Sequence, residues 1–150
     1  MSLQDQIMEA MKTAMKARDA QSLEALRAVK SAILIARTET GSKTELTGAE
    51  EIKILQKQVK QRKDSAAIYT EQNRDDLAKP ELEQARVIEQ FLPQQMSEAE
   101  VAKIVDTIIA ETGANTMKDM GRVMGLANAK LAGKADGKTI SNVVRGRLAQ

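Results

Sequence analysis

The chain has 150 residues, of which 23 are basic and 21 acidic, for a formal charge of +2; this length suffices for one compact domain or two small ones. It has no cysteine and no histidine, which excludes disulfides, thiol chemistry, the commonest general base and the usual zinc ligands. Tyr69 and Phe91 are the only aromatic residues, too few for a sheet that stacks RNA bases on aromatic rings. We expect a soluble, cytoplasmic protein without a membrane partner, because there is no apolar signal-peptide run and no stretch of roughly 20 apolar residues.

Apolar residues recur at helical spacing along nearly the whole chain, and no stretch alternates with the period of two that marks a strand. Two helix starts, at Thr47 and Ser97, carry a glutamate three residues later, the pattern of a capping box, and we expect Asp75 or Asp76 and Thr116 to cap two further helices. The spacing predicts seven helices, which run approximately from Leu3 to Arg18, Ala20 to Thr38, Thr47 to Asn73, Asp75 or Asp76 to Pro93, Ser97 to Gly113, Thr116 to Leu131 and Asp136 to Leu148.

Each predicted helix has one apolar stripe that we expect to face a core. In the first helix this stripe is Leu3, Ile7, Met11 and Met15. In the fourth it includes Leu77, Leu82, Ala85 and Ile88, and in the sixth Met117, Met120, Met124, Ala127 and Leu131. The three methionines at helical spacing indicate core filling rather than a ligand groove.

The predicted helices divide into two groups at Pro93, because the residue before a proline avoids the helical region. The fold class is therefore all-α, with two helical bundles: a larger four-helix part, residues 1–93, and a smaller three-helix part, residues 94–150. Within the first part, the string GSKTELTG from Gly41 to Gly48 is a polar loop.

Charge is distributed unevenly along the chain. From residue 76 to 115 there are three basic and eight acidic residues, whereas from residue 116 onward there are seven basic and two acidic ones, for net charges of −5 and +5. This separation favours a surface for polyanions near the carboxyl end, with contacts to phosphates rather than to bases. The expected phosphate contacts are Lys118, Arg122, Lys130, Lys134, Lys138, Arg145 and Arg147.

The string AGKADGKT, from Ala132 to Thr139, satisfies a loose phosphate-loop pattern. A working phosphate loop follows a strand, and here the preceding segment is a predicted helix, so we interpret the string as a helix–helix connection. Asp136 is best explained as the N-cap of the last helix. Gly133, Gly137 and the two lysines are consistent either with binding of a nucleic-acid phosphate at the helix N-terminus or with a sharp turn alone.

Four strings resemble the YqeY family, which shares its GatB/YqeY domain with the tail of the GatB polypeptide of the tRNA-dependent amidotransferase. They are LRAVKSAI (residues 26–33), QKQVKQRKDSAAIY (56–69), RDDL…FLPQQMSEAE (74–100) and DMGRVMG…KLAGKADGK (119–138). The resemblance implies a pair of helical bundles, a role in translation and contact with the outer corner of tRNA. It also implies a link by homology to a carbon–nitrogen ligase that uses glutamine as amido-N-donor.

The sequence and the resemblance together favour a tRNA-associated binding module. We expect no intrinsic catalytic activity, because no pair of nucleophile and base can be placed on the chain, and we expect no cofactor and no metal. The alternative is a helical adaptor whose long third helix and acidic middle segment dock an aminoacyl-tRNA synthetase or an amidotransferase. Which RNA or protein is bound, and the oligomeric state, stay open at this point.

Overall fold

The structure is a computed structural model that describes residues 1–39 and 45–149, and it is all-α, as predicted. Those residues contain no strand and form seven α-helices and one short 3₁₀ helix, Met117–Asp119. The α-helices are α1 (Leu3–Lys16), α2 (Ala20–Glu39), α3 (Gly48–Glu71), α4 (Asp75–Glu89), α5 (Glu98–Thr112), α6 (Met120–Leu131) and α7 (Gly137–Leu148). Half of the predicted loop from Gly41 to Gly48, residues 41–44, lies outside the described residues.

The chain divides into two compact units, Met1–Leu92 and Pro93–Gln150, here called the N-terminal and C-terminal units. The first contains α1 to α4, and the second contains α5 to α7 and the 3₁₀ helix. No helix in the described part of the chain has both the length and the hydropathy needed to cross a bilayer.

Hydrogen bonds at the helix starts of the N-terminal unit confirm one predicted cap and correct another. Thr47 begins α3 with a complete capping box, in which its Oγ1 accepts from the Glu50 N–H and its own N–H donates to the Glu50 carboxylate at 2.7 Å. The prediction that Asp75 or Asp76 caps α4 is wrong: Arg74 is the N-cap and no side chain caps the helix. The Asp76 carboxylate instead accepts hydrogen bonds from Nε and Nη2 of Arg74 at 3.1 and 3.0 Å.

The core of the N-terminal unit lies among all four helices, with α4 packed most extensively against α3. Its buried side chains are Ile7, Ala14, Ala25, Leu26, Val29, Ile33, Leu55, Val59, Ala85 and Ile88. Three residues predicted on inner faces, Met15, Leu77 and Leu82, are instead exposed. In α4 the buried positions include Ala78 and Ala85, small residues that let two helices approach closely, so the larger leucines lie outside the contact.

One polar side chain, Gln84 on α4, is buried in the N-terminal unit, at 7% exposure. Its Oε1 accepts from Nε of Arg62 on α3 at 3.0 Å, and its Nε2 donates to Oε1 of Gln21 on α2 at 2.8 Å. Arg62 also donates to the side chain and the carbonyl of Gln58. This polar network joins three helices, and it satisfies the buried amide, which would otherwise be costly.

In the C-terminal unit the predicted helix boundaries hold with two corrections. The Ser97 hydroxyl accepts from the Glu100 N–H at 3.2 Å but donates to the Glu100 carboxylate at 3.1 Å, so only one half of the predicted capping box forms. The Thr116 hydroxyl makes no cap hydrogen bond, and a 3₁₀ turn precedes α6. Gly113 ends α5 with φ of +68°, the left-handed conformation for which glycine is preferred.

The core of the C-terminal unit is apolar. It consists of Val101, Val105, Ile108, Ala114, Val123, Ala127, Leu131, Ala135, Ile140, Val143, Val144 and Leu148. Met120 and Met124 pack against this core as predicted, but Met117 in the 3₁₀ helix is exposed. The segment between α6 and α7 is a helix–helix connection, as predicted, and accepts hydrogen bonds from the Met96 N–H and the Gln95 side chain at 2.8 Å each.

Candidate nucleic-acid interface

The seven cations singled out in the sequence all belong to the C-terminal unit, and every one is exposed. They lie on three kinds of element. Lys118 is in the 3₁₀ helix and Lys134 in the connection before α7, whereas α6 carries Arg122 and Lys130 and α7 carries Lys138, Arg145 and Arg147.

Three of these cations form ion pairs with acidic residues of the same unit. Arg122 Nη2 lies 3.4 Å from the Asp119 carboxylate and also donates to the Thr112 carbonyl at 3.3 Å. Lys130 lies 3.9 Å from Glu111, and Nε of Arg147 lies 3.1 Å from Asp106 on α5. Such surface pairs contribute little to stability, but each acid offsets the charge that its cation would offer to a phosphate.

The other four cations, Lys118, Lys134, Lys138 and Arg145, have no ion pair within the described ranges, 1–39 and 45–149. Lys138 and Arg145 are seven residues apart on α7, so they lie on the same side of the helix, about 10 Å apart along its axis. Asn142, also exposed, lies between them on that side. The outer face of α7 thus presents two cations and an amide, groups that donate to phosphate oxygens.

The N-terminus of α7 is occupied by an acid rather than left open for an anion. Asp136 is the N-cap, as predicted, and its carboxylate accepts from the Thr139 N–H at 2.6 Å. A phosphate bound at this helix end would compete with that carboxylate for backbone N–H groups and would be repelled by its charge. The cations of α7 therefore offer a better phosphate contact than the helix end itself.

Two glycines on α6, Gly121 and Gly125, form a feature that the sequence analysis missed. They are exposed, four residues apart, and a Cβ atom at either position would meet nothing within 4 Å. Glycine inside a helix costs up to about 1 kcal/mol relative to alanine, and no close packing in this unit requires it here. The exposed side of α6 is thus a place where another molecule can approach the backbone closely.

Among the described residues, the resolved pKa shifts fall in the N-terminal unit. Burial, with a smaller effect of Glu45, raises the pKa of Glu51. Hydrogen bonds from neighbouring groups lower the pKa of Asp5, Asp19 and Asp76. Across the described residues no three acidic side chains come together as a metal site would require.

Comparison with known proteins places the chain in a family. The family model described as Yqey-like protein matches residues 4–148. The E-type subunit of glutamyl-tRNA(Gln) amidotransferase from Thermococcus gammatolerans is 40% identical over 73 residues, 46% of this chain and 12% of that protein. Its counterpart from Thermococcus sibiricus is 44% identical over 57 residues, 35% of this chain and 9% of that protein. The chain thus matches only about a tenth of the length of these relatives, but the family match covers nearly all of it, and the chain belongs to the Yqey-like protein family.

Proposed function

We propose that this protein is a tRNA-binding accessory module whose C-terminal unit contacts the phosphate backbone. The observation that carries the proposal is the set of four exposed cations that find no acidic partner among the described residues: Lys118, Lys134, Lys138 and Arg145. Phosphate contacts supply most of the affinity of nonspecific nucleic-acid binding. The likeness to amidotransferase subunits named for glutamyl-tRNA(Gln) supports tRNA as the polyanion.

The seven proposed contacts differ in the cost of engaging a phosphate. As far as the described residues show, four of the cations can bind a phosphate without breaking an ion pair, whereas Arg122, Lys130 and Arg147 must first leave Asp119, Glu111 and Asp106. We therefore expect Lys138 and Arg145 to contribute more to tRNA affinity than Lys130. Gly121 and Gly125 would let the nucleic-acid backbone approach the exposed side of α6.

The test is the salt dependence of tRNA binding, measured by fluorescence anisotropy with the full chain and labelled bulk tRNA. Affinity falls with rising salt, and Lys138→Gln and Arg145→Gln each reduce the log–log slope by about one. Lys103→Gln is the matched control, because Lys103 is exposed on α5 of the same unit and is not a proposed contact. Absence of tRNA binding at low salt, or equal slopes for all three variants, contradicts the proposal.

Amidation chemistry is not part of this proposal, because the chain corresponds to only 12% and 9% of the two amidotransferase subunits. The purified protein is expected not to transfer ammonia to misacylated tRNA. Detection of that transfer with the protein alone would require a different function.

The second candidate is a helical adaptor that docks a synthetase or an amidotransferase through α3 and the acidic segment 76–115. The observation in its favour is on α3, where Lys53, Lys57 and Ile68 are all exposed. A pull-down with and without RNase separates the two functions. Partners that survive RNase favour the adaptor, whereas partners lost with the RNA favour tRNA binding.

A further inference from the structure

The N-terminal unit contains a groove between α1 and α2 that neither the tRNA proposal nor the adaptor surface on α3 uses. Its floor is apolar and fully buried, formed by Ile7 and Ile33 at 1% and 3% exposure. Met8 on α1 and Leu34 on α2 line its sides and are 49% and 62% exposed. Large apolar side chains that meet around a concave site are typical of an interaction surface.

The size of the groove indicates what kind of group it accepts. Its volume is about 240 Å³, below the roughly 300 to 1,000 Å³ of most small-molecule sites. This volume accommodates apolar side chains presented by another element. Methionine, as at Met8, adapts its shape to different partners and is common on surfaces that bind helices.

The charged residues that line the groove are basic. Lys30 and Arg37, seven residues apart on α2, both line it, and no acidic residue does. Arg27 lies one turn before Lys30 on the same side of the helix and is exposed. Neither Arg27 nor Lys30 forms an ion pair in the described part of the chain. A complementary occupant carries carboxylates beside its apolar anchors.

We infer that this groove docks an amphipathic helix of a partner protein, with apolar side chains entering between Met8 and Leu34 and acidic side chains facing Lys30 and Arg37. The apolar floor and the alignment of both cations along α2 match a helix whose anchors recur every three or four residues. A flat anionic membrane would not reach Ile7 and Ile33 at the bottom of a concave groove. This inference is independent of tRNA binding, which involves the other unit.

The first test uses two synthetic helical peptides of about 16 residues with identical leucine anchors. One has flanking glutamates and the other has lysines in their place. The full chain is expected to bind the glutamate peptide at least about tenfold more tightly than the lysine peptide in anisotropy measurements. Equal binding of both peptides, or of neither, overturns the inference.

Two neighbouring residues on α2 provide a matched pair of variants. Leu34→Asn removes an apolar side of the groove and lowers affinity for the glutamate peptide by about tenfold or more. Ile35→Asn, at a residue 55% exposed that does not line the groove, leaves affinity within about twofold. Equal effects of the two substitutions overturn the inference.

Charge reversal and methionine signals locate the bound peptide. Lys30→Glu weakens binding of the glutamate peptide and strengthens binding of the lysine peptide, whereas Lys103→Glu, at an exposed residue on α5 of the other unit, changes neither. In NMR spectra of the chain with ¹³C-methyl methionine, the glutamate peptide shifts the Met8 signal and leaves that of Met117, an exposed methionine of the C-terminal unit, unchanged.

Two other occupants of the groove are tested with the same variant. Self-association of the chain, or binding to anionic phospholipid vesicles, that is lost in Leu34→Asn would assign the groove to a second copy or to a membrane and overturn the inference.

Discussion

The two units have similar helical architecture but different interiors. Twelve buried apolar residues form the core of the C-terminal unit, and none of the polar side chains described in this unit is buried. In the N-terminal unit the buried amide of Gln84 connects Arg62 and Gln21 through hydrogen bonds. Their surfaces differ as well: the C-terminal unit carries the seven cations of the candidate interface, and the N-terminal unit has an apolar groove flanked by Lys30 and Arg37.

This difference shows two ways in which helices are held in a defined arrangement. An apolar core stabilises by the area removed from water, and this contribution is not directional. A buried polar network has directional bonds, so a helix that shifts leaves donors or acceptors unsatisfied. Substitutions in the two units should therefore lower the free energy of unfolding for different reasons.

The largest effect is expected from a cavity in the apolar core. Leu131→Ala, at a residue with 0% exposure on α6, should lower the free energy of unfolding by about 2 to 5 kcal/mol. Leu126→Ala on the same helix, at a residue 42% exposed, should change it by less than about 0.5 kcal/mol. Urea denaturation measures both, and similar losses would contradict the assigned core.

A smaller loss is expected from breaking the polar network of the N-terminal unit. Gln84→Ala should cost about 1 to 3 kcal/mol, because it leaves Nε of Arg62 without its acceptor in a half-buried site. The double variant Arg62→Met, Gln84→Met should lose less than Gln84→Ala, because it removes the buried polar groups together. If the double variant is the less stable of the two, specific hydrogen bonding is not what Gln84 contributes.

Two glycines of the C-terminal unit should respond in opposite directions. Gly146→Ala places its Cβ in open space within α7 and should stabilise by up to about 1 kcal/mol. Gly113→Ala forces alanine into a backbone with φ of +68° and should destabilise by about 1 kcal/mol. Thermal unfolding followed by circular dichroism measures both shifts, and a shared sign would contradict the described backbone.

The smallest effect is acid sensitivity in the N-terminal unit. The Ser22 hydroxyl and N–H donate to the Asp19 carboxylate and lower its pKa from the usual 3.8. A depressed pKa in the folded state contributes stability above the unfolded value, and this is lost as pH falls through the folded value. The melting temperature of Asp19→Asn should accordingly depend less on pH than that of the parent protein below about pH 4, and parallel profiles would count against this hydrogen-bonded carboxylate.

Much of the fold was predictable because helix boundaries depend on residues that are close together in the sequence. The Thr47 and Glu50 box, Gly113 and the Asp136 cap each act within a few residues, and each was predicted correctly. The inner faces of α1 and α4 were predicted less well. Periodicity identifies an apolar stripe but not whether another helix covers it, so Met15, Leu77 and Leu82 were placed inside wrongly.

The basic residues of the candidate interface could be predicted from the sequence, but not which of them form ion pairs within the protein. The sequence identified the excess of basic residues after residue 116, and the structure shows that three of the seven pair with Asp106, Glu111 and Asp119. Two of these acids come from α5, which the predicted segment did not include. The exposed Gly121 and Gly125 carry a signal that sequence reasoning can use, since helix interiors disfavour glycine.

By itself the sequence determined that the chain is all-α, where most helices start and stop, and that its carboxyl end is basic, because caps, periodicity and charge are properties of nearby residues. Only the tertiary structure decided which side chains are buried, which of the seven cations pair with an acidic residue, and which residues form hydrogen bonds with Gln84. Those properties depend on residues that are distant along the chain and meet only when the helices pack.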